Sequence, residues 1–218
     1  MTFEQVRSDA AVRTYIARAD MTLEALGYTE HSFAHVTMVA VRAAYILQAL
    51  GYDSRTVELT KIAGYLHDIG NVINRVDHSQ SGAVMAFRIL DRMDFPPEEI
   101  AIIISAIGNH DEGTGIPVNE VAAALIITDK SDVRRSRVRN PEDVSVDIHD
   151  RVNYSATHSE LTVDPEGKTL TLEIQVDTAI SSPMEYLEIF MKRMLLCRSA
   201  AEKLNLRFSL RINGQTLI

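Results

Sequence analysis

Apolar residues recur at three- and four-residue steps along most of the chain's first two thirds, the spacing of amphipathic helices. The clearest run is residues 33–50. Val36, Val39, Ala40, Ala43, Ile46, Leu47 and Leu50 share one face there, and Gly51 stops it. Residues 4–26 read as an earlier helix closed by Gly27. Asp53 or Ser54 caps a third helix with Leu59, Ile62, Ala63 and Leu66 inward. A fourth, over 79–93, is expected to turn Val84, Phe87, Leu90 and Met93 to the core. Pro96-Pro97-Glu98-Glu99 is a helix start, because proline fits the first turn and acids suit the positive end of the helix dipole. That fifth helix is expected to run to His110. A loop with Gly113, Gly115 and Pro117 precedes a sixth, from Val118 to Val133.

The period changes after Asn153. Leu161 and Val163 alternate with polar residues, Pro165-Glu166-Gly167 is a turn, and Leu170, Leu172, Ile174 and Val176 alternate again, which reads as a hairpin. Ser182-Pro183-Met184-Glu185 is a capping box opening another helix. Leu206, Phe208, Leu210 and Ile212 form a last strand. The fold expected is mainly α: a helical body over residues 1–152 and a small α+β tail over 153–218.

Composition narrows the functions open to such a fold. A chain of 218 residues buries enough surface to need no covalent staple. Lysine plus arginine total 22 against 30 aspartates plus glutamates, a formal charge of -8. That argues against nucleic acid or an anionic membrane as the main partner, and it leaves room for a local basic pocket. Cys197 is the only cysteine, which excludes an internal disulfide and a cysteine zinc cluster. The N-terminal residues carry charges throughout, and the longest apolar runs, over 100–107 and 121–127, fall short of the ~18 residues a membrane span needs. The compartment expected is the cytoplasm.

Polar residues interrupt the apolar faces at particular places. His67 and Asp68 end the apolar stretch Ala63-Gly64-Tyr65-Leu66. His35 opens a helix, His110 closes one, and Asp129 follows Ala124-Leu125-Ile126-Ile127-Thr128. A buried carboxylate is costly unless it is paired or bound to a metal. Several helix ends bearing ligand-type side chains could therefore converge on one site.

In order, His35, then Leu66-His67-Asp68-Ile69-Gly70, then Asp129-Lys130-Ser131-Asp132 resemble the HD-domain metal-dependent phosphohydrolase superfamily. His78-Ser79-Gln80-Ser81-Gly82-Ala83 and Asn109-His110 are similar to the two extra histidine positions of its HDIG-type binuclear branch. The resemblance covers residues 30–135. It implies an HD-domain helical bundle and two divalent metal ions. His35, His67, Asp68 and Asp129 would hold one ion. Asp68 would bridge to a second, held by His78 and His110. Four imidazoles and two carboxylates suit Fe, Mn, Co or Ni better than Mg.

The activity implied is hydrolysis of a phosphoester, in a nucleotide or another small phosphorylated metabolite, by a metal-bridging hydroxide. Asp68 and Lys130 are the expected catalytic residues. His31, Asn71, Lys130, Arg134 and Arg135 are the expected substrate contacts. Lys130 and Arg134, four apart on one expected helix, would form the main phosphate grip, with Arg135 turned partly aside. Asn71 stands where many relatives carry lysine, which removes one positive charge. His149 and His158 lie beyond the motifs and are expected to be structural or exposed. The stretch from His110 to Pro117 is similar to the HD-GYP loop but shorter, and it reads as a glycine turn. The same ligand set is also that of HD-fold di-iron oxygenases, and a regulatory HD module is a third reading. The tail would cover the body or support a homodimer.

Overall fold

Capping side chains punctuate the helices of the body. The computed structural model describes residues 1–140 and 147–217. Thr2 and Gln5 form a capping box at the start of α1 (Phe3–Ser8). Asp9 then ends α1 and begins α2 (Ala10–Ala25), its carboxylate accepting from the Ala11 and Val12 amides. The continuous helix expected over 4–26 is therefore two helices. An aspartate that satisfies two orphan amides makes the break favourable.

Ser32 caps α3 (Phe33–Ala49), and Asp53 caps α4 (Ser54–Leu66). A short 3-10 turn (Ile69–Val72) leads to α5 (His78–Arg92). Next come α6 (Pro97–Gly108), α7 (Glu120–Lys130), a second 3-10 turn (Arg135–Arg137) and α8 (Ile148–Ser155).

Two expectations are corrected in this region. Val84 and Phe87 of α5 face outward, 69% and 47% exposed; Gly82, Ala86, Ile89 and Leu90 make the buried face. The small residues are the ones that permit close packing against α6 and the first 3-10 turn. The sixth expected helix is also shorter at both ends. Asn119 caps it by accepting from the Ala122 amide, and it stops at Lys130 rather than Val133.

β1 (Ala156–Asp164) pairs antiparallel with β2 (Thr169–Val176), as the alternation implies. β2 pairs in parallel with β3 (Arg207–Ile212), and β4 (Gln215–Thr216) adds a short antiparallel edge. The sheet order is β1-β2-β3-β4. A parallel pair needs a crossover, and α9 (Pro183–Lys203) supplies it. Leu170, Leu172 and Ile174 sit opposite Phe208, Leu210 and Ile212, so the two buried stripes coincide.

α9 packs on β3 with one side and on α7 with another. α7 also touches α3, α4 and α6, and every residue from Val121 to Thr128 is buried. A helix apolar all round is buried all round. The hydrophobic core thus runs without a break from the body into the tail. Among the described residues, no helix is long and apolar enough to cross a membrane.

Candidate metal centre

Helix ends deliver the candidate ligands, as the apolar runs imply. His35 lies in the first turn of α3, His67 and Asp68 directly follow α4, and His78 begins α5. His110 comes just after α6, and Asp129 sits in the last turn of α7. Two glycines allow the convergence. A Cβ on Gly64 would lie 2.7 Å from the Ala40 Cα, so α3 and α4 cross with backbones in contact and bring His35 to His67. A Cβ on Gly70 would collide with the His78 carbonyl oxygen, so this glycine lets α5 begin against the 3-10 turn.

Asp68 divides its two oxygens. Oδ2 faces His67 Nε2 at 3.3 Å and His35 Nε2 at 3.7 Å. Oδ1 faces His78 Nε2 at 3.5 Å and His110 Nε2 at 4.0 Å. Asp129 Oδ1 joins the first group, 3.4 Å from His35 and 3.6 Å from His67. The cluster is deeply buried: His35, His67 and His110 are 0% exposed. Ligand atoms of His35, His67 and Asp129 lie close enough to share one ion, as do those of His67, Asp68 and His110.

The other ring nitrogen of every one of these histidines is committed. His35 Nδ1 bonds Asp132 Oδ2 at 2.8 Å. The Nδ1 groups of His67, His78 and His110 donate to the carbonyls of Gly64 (2.8 Å), Arg75 (3.0 Å) and Ile107 (2.6 Å). Each bond places the Nδ1 proton and leaves Nε2 as the inward atom, the arrangement of metal-ligating histidines. His35 Nε2 and His67 Nε2 are buried without a hydrogen-bond partner. His78 Nε2 and His110 Nε2 stand 3.2 Å apart, and with both Nδ1 atoms protonated two lone pairs face each other. A cation between such donors removes the repulsion and satisfies the orphaned nitrogens. The donor set therefore fits a divalent metal.

Electrostatics agree. Burial alone would depress the His67 imidazolium, but the nearby negative charges of Asp68, first, and Asp129 outweigh it and push the group up to about 10. Burial, then the positive charge of Lys130, push His110 down to about 3. Burial opposes ionisation of Asp129, yet the charge of Lys130 and the adjacent His35 and His67 rings hold its carboxyl well below the usual range. The inner pair of carboxylates is a strong sink for positive charge.

The remaining residues divide differently from the sequence expectation. Lys130 is buried, and its Nζ binds the outer oxygen of Asp129 at 2.8 Å. His31 donates from Nδ1 to the Thr29 carbonyl at 2.6 Å, and its ring packs on His35. Burial, then the charge of Arg137, hold it well below its ordinary value. Asn71 is fully buried and donates to the carbonyl and Oδ1 of Asp68, both at 2.9 Å. It orients a ligand rather than lining the cavity.

Arg134 and Arg135 also leave the cavity. α7 has ended before them, so the expected shared face with Lys130 does not exist. Arg134 chelates the Asp132 carboxylate, and Arg135 donates to the Tyr154 carbonyl and stacks on its ring. Asp132 needs this support because it is buried while ionised, and Arg137 adds a third contact. His149 and His158 are exposed, beside Asp147 and Glu160.

A cavity of about 490 Å³ opens over the cluster, with Asp68, His78, Asp129 and Lys130 in its floor and wall. His31, Arg75, Arg137 and Arg193 also line it. α8 and α9 supply the outer wall through Asp147, Asp150 and Phe190. Arg75, Arg193, Asp132 and Asp111, whose Oδ1 is 4.0 Å from His78 Nε2, carried no sequence signal that assigned them a role. The one available hint for Asp132 was its place two residues beyond Asp129-Lys130 in the closing motif.

A model of the HD-domain family matches residues 32–154. The chain belongs to the HD-domain family. The match begins just before His35 and takes in every candidate ligand. An uncharacterized protein of Methanocaldococcus jannaschii is 26% identical to this HD-domain chain over 199 residues, covering 81% of it and 75% of its own length. A predicted HD superfamily hydrolase from an uncultured Thermotogales bacterium superposes with a TM-score of 0.45 at 23% identity, over 57% of this chain and 67% of its own.

Proposed function

We propose that this HD-domain chain is a metal-dependent phosphohydrolase acting on a nucleotide or another small phosphorylated metabolite. One observation carries the reading. The two oxygens of Asp68 address two separate sets of inward histidine nitrogens, His35 and His67 on one side and His78 and His110 on the other. The imidazole-rich donor set favours Fe, Mn, Co or Ni over Mg. Bound there, a pair of divalent ions would supply an activated water and charge neutralisation for a phosphoryl group.

The chain's own residues do the rest. Asn71 holds Asp68 so that its second oxygen faces His78. Lys130 ties down Asp129 and places one positive charge in the cavity wall. His31, kept neutral by burial, offers the cavity a ring nitrogen that can bond a substrate hydroxyl. The test is metal analysis of the freshly purified protein together with a phosphate-release screen over nucleotides and cyclic dinucleotides. Asp68→Ala should lose both metal and activity while keeping a cooperative unfolding transition. A fully active Asp68→Ala protein, or oxygen uptake without phosphate release in the parent, would sink the proposal.

A further inference from the structure

Arg75 lies in the loop between the first 3-10 turn and α5, where no expected site residue falls. Its main chain already serves the metal centre, since its carbonyl accepts from His78 Nδ1 at 3.0 Å. Its side chain turns into the same cavity. Nη1 stands 3.4 Å from His78 Nε2 and 3.4 Å from Asn71 Oδ1, and the guanidinium carbon lies 5.5 Å from the centroid of the Tyr28 ring. The aromatic face fixes the fork on one side and leaves its other face to the cavity.

The other cations lining the cavity are matched. Lys130 pairs with Asp129 at 2.8 Å, Arg193 with Glu112 at 2.8 Å, and Arg137 with Asp132 at 3.4 Å. Among the described residues, Arg75 alone in that set has no carboxylate partner. A guanidinium cannot ligate a metal, having donors only. A fork held beside a candidate metal-ligating histidine, with no counter-ion among the described residues, is half of a clamp for an anion. It also restores near Asn71 the positive charge that a lysine at that position would bring.

The outer wall brings two carboxylates, with His149 beside Asp147 and Arg193 already paired with Glu112. Asp147 and Asp150 stand at the outer side of the cavity, and Asp150 is half-buried. A second phosphate extending outward would meet these carboxylates.

Resting on the phosphohydrolase reading, we propose that Arg75 binds the substrate's phosphoryl group directly, and that the cavity takes one phosphoryl group at its inner end with a polar, uncharged remainder toward Asp147 and Asp150. The experiment is titration calorimetry of inorganic phosphate into the metal-loaded full chain, so that binding is read without turnover. Arg75→Ala should weaken phosphate roughly 10- to 150-fold, the loss of one charged hydrogen bond, with metal content unchanged. Arg75→Gln, which keeps a polar side chain but loses the charge and the fork, should show the same loss. Arg75→Lys should recover part of it, because the charge returns without the fork. Phosphate affinity within twofold of the parent in the Gln variant at equal metal content would overturn the assignment, as would a loss in the Ala variant alone. In the same assay, with the non-hydrolysable methylene phosphonate analogues of adenosine monophosphate and diphosphate, the parent should bind the monophosphate analogue more tightly, and Asp147→Asn with Asp150→Asn should narrow that gap. Tighter diphosphate binding by the parent would overturn the single-phosphoryl part. A parent that turns over no phosphoester would remove the function reading while leaving the Arg75 result as an anion site.

Discussion

Asp68 and the four inward histidines show how much a single proton position decides. A histidine ligand is useful only when its free nitrogen points inward. Here a carbonyl or Asp132 sets that orientation at each ring. The arrangement separates two roles that the sequence could not divide: ligands that touch the centre, and groups such as Asn71 and Asp132 that hold ligands. It also makes the second half of the centre testable. His78→Ala together with His110→Ala should reduce bound metal from two ions per chain to one, because His35, His67, Asp68 and Asp129 remain. Elemental analysis after dialysis checks this. A stoichiometry of one both before and after would show a mononuclear site.

At the scale of elements, helix ends carry the function and their caps carry the geometry. α9 is tied to α8 by Glu185, which accepts from the Ser182 amide at 2.8 Å, Ser181 Oγ at 3.1 Å and Arg151 Nη2 at 2.7 Å. Together α8 and α9 make the outer wall of the cavity. The Ser182 amide bond first, then Arg151 and Ser181, pull the Glu185 carboxyl from an ordinary 4.5 down to about 2. A folded-state pKa below the unfolded one adds stability that is complete above the unfolded value and fades as pH falls through the folded one. The unfolding midpoint of Glu185→Gln should therefore lie below that of the parent by a constant amount above pH 4.5, and the gap should close as pH falls toward about 2. Parallel denaturant titrations across that range measure it. A gap that persists at the acid end would show that Glu185 acts through packing.

For the whole molecule, the centre is a joint between elements distant in sequence. Its ligands come from α3, the α4 end, α5, the α6 end and α7, so metal binding links most of the body. An ion that binds the folded chain alone stabilises all of it. At a concentration one hundred times its Kd, one divalent ion should add about 2.7 kcal/mol to unfolding. Chelation should remove that increment, and Asp68→Ala should not respond to either treatment. Thermal unfolding with Mn and with a chelator checks this. The formal charge of -8 belongs to the same scale. It is offset within the cavity only by a few cations, most of them spoken for.

The amino-acid sequence by itself determined the helix-rich body, the hairpin and the terminal strand, because periodicity and caps are local properties. It also named six candidate ligands, because His67-Asp68 and Asp129 follow apolar runs and the ordered motifs, with His35, His78 and His110, resemble those of the HD family. What it left open depends on through-space neighbours. Val84 and Phe87 look like core, yet Gly82 and Ala86 face inward because α6 and the 3-10 turn come too close for larger side chains. Lys130 and Arg134 look like one helical face, yet α7 stops between them and Arg134 turns to the buried charge of Asp132. Arg75 looks like any loop arginine. Only folding shows it unmatched among the described residues beside His78, because whether a charge has a counter-ion is settled by which distant carboxylates tertiary packing brings within reach.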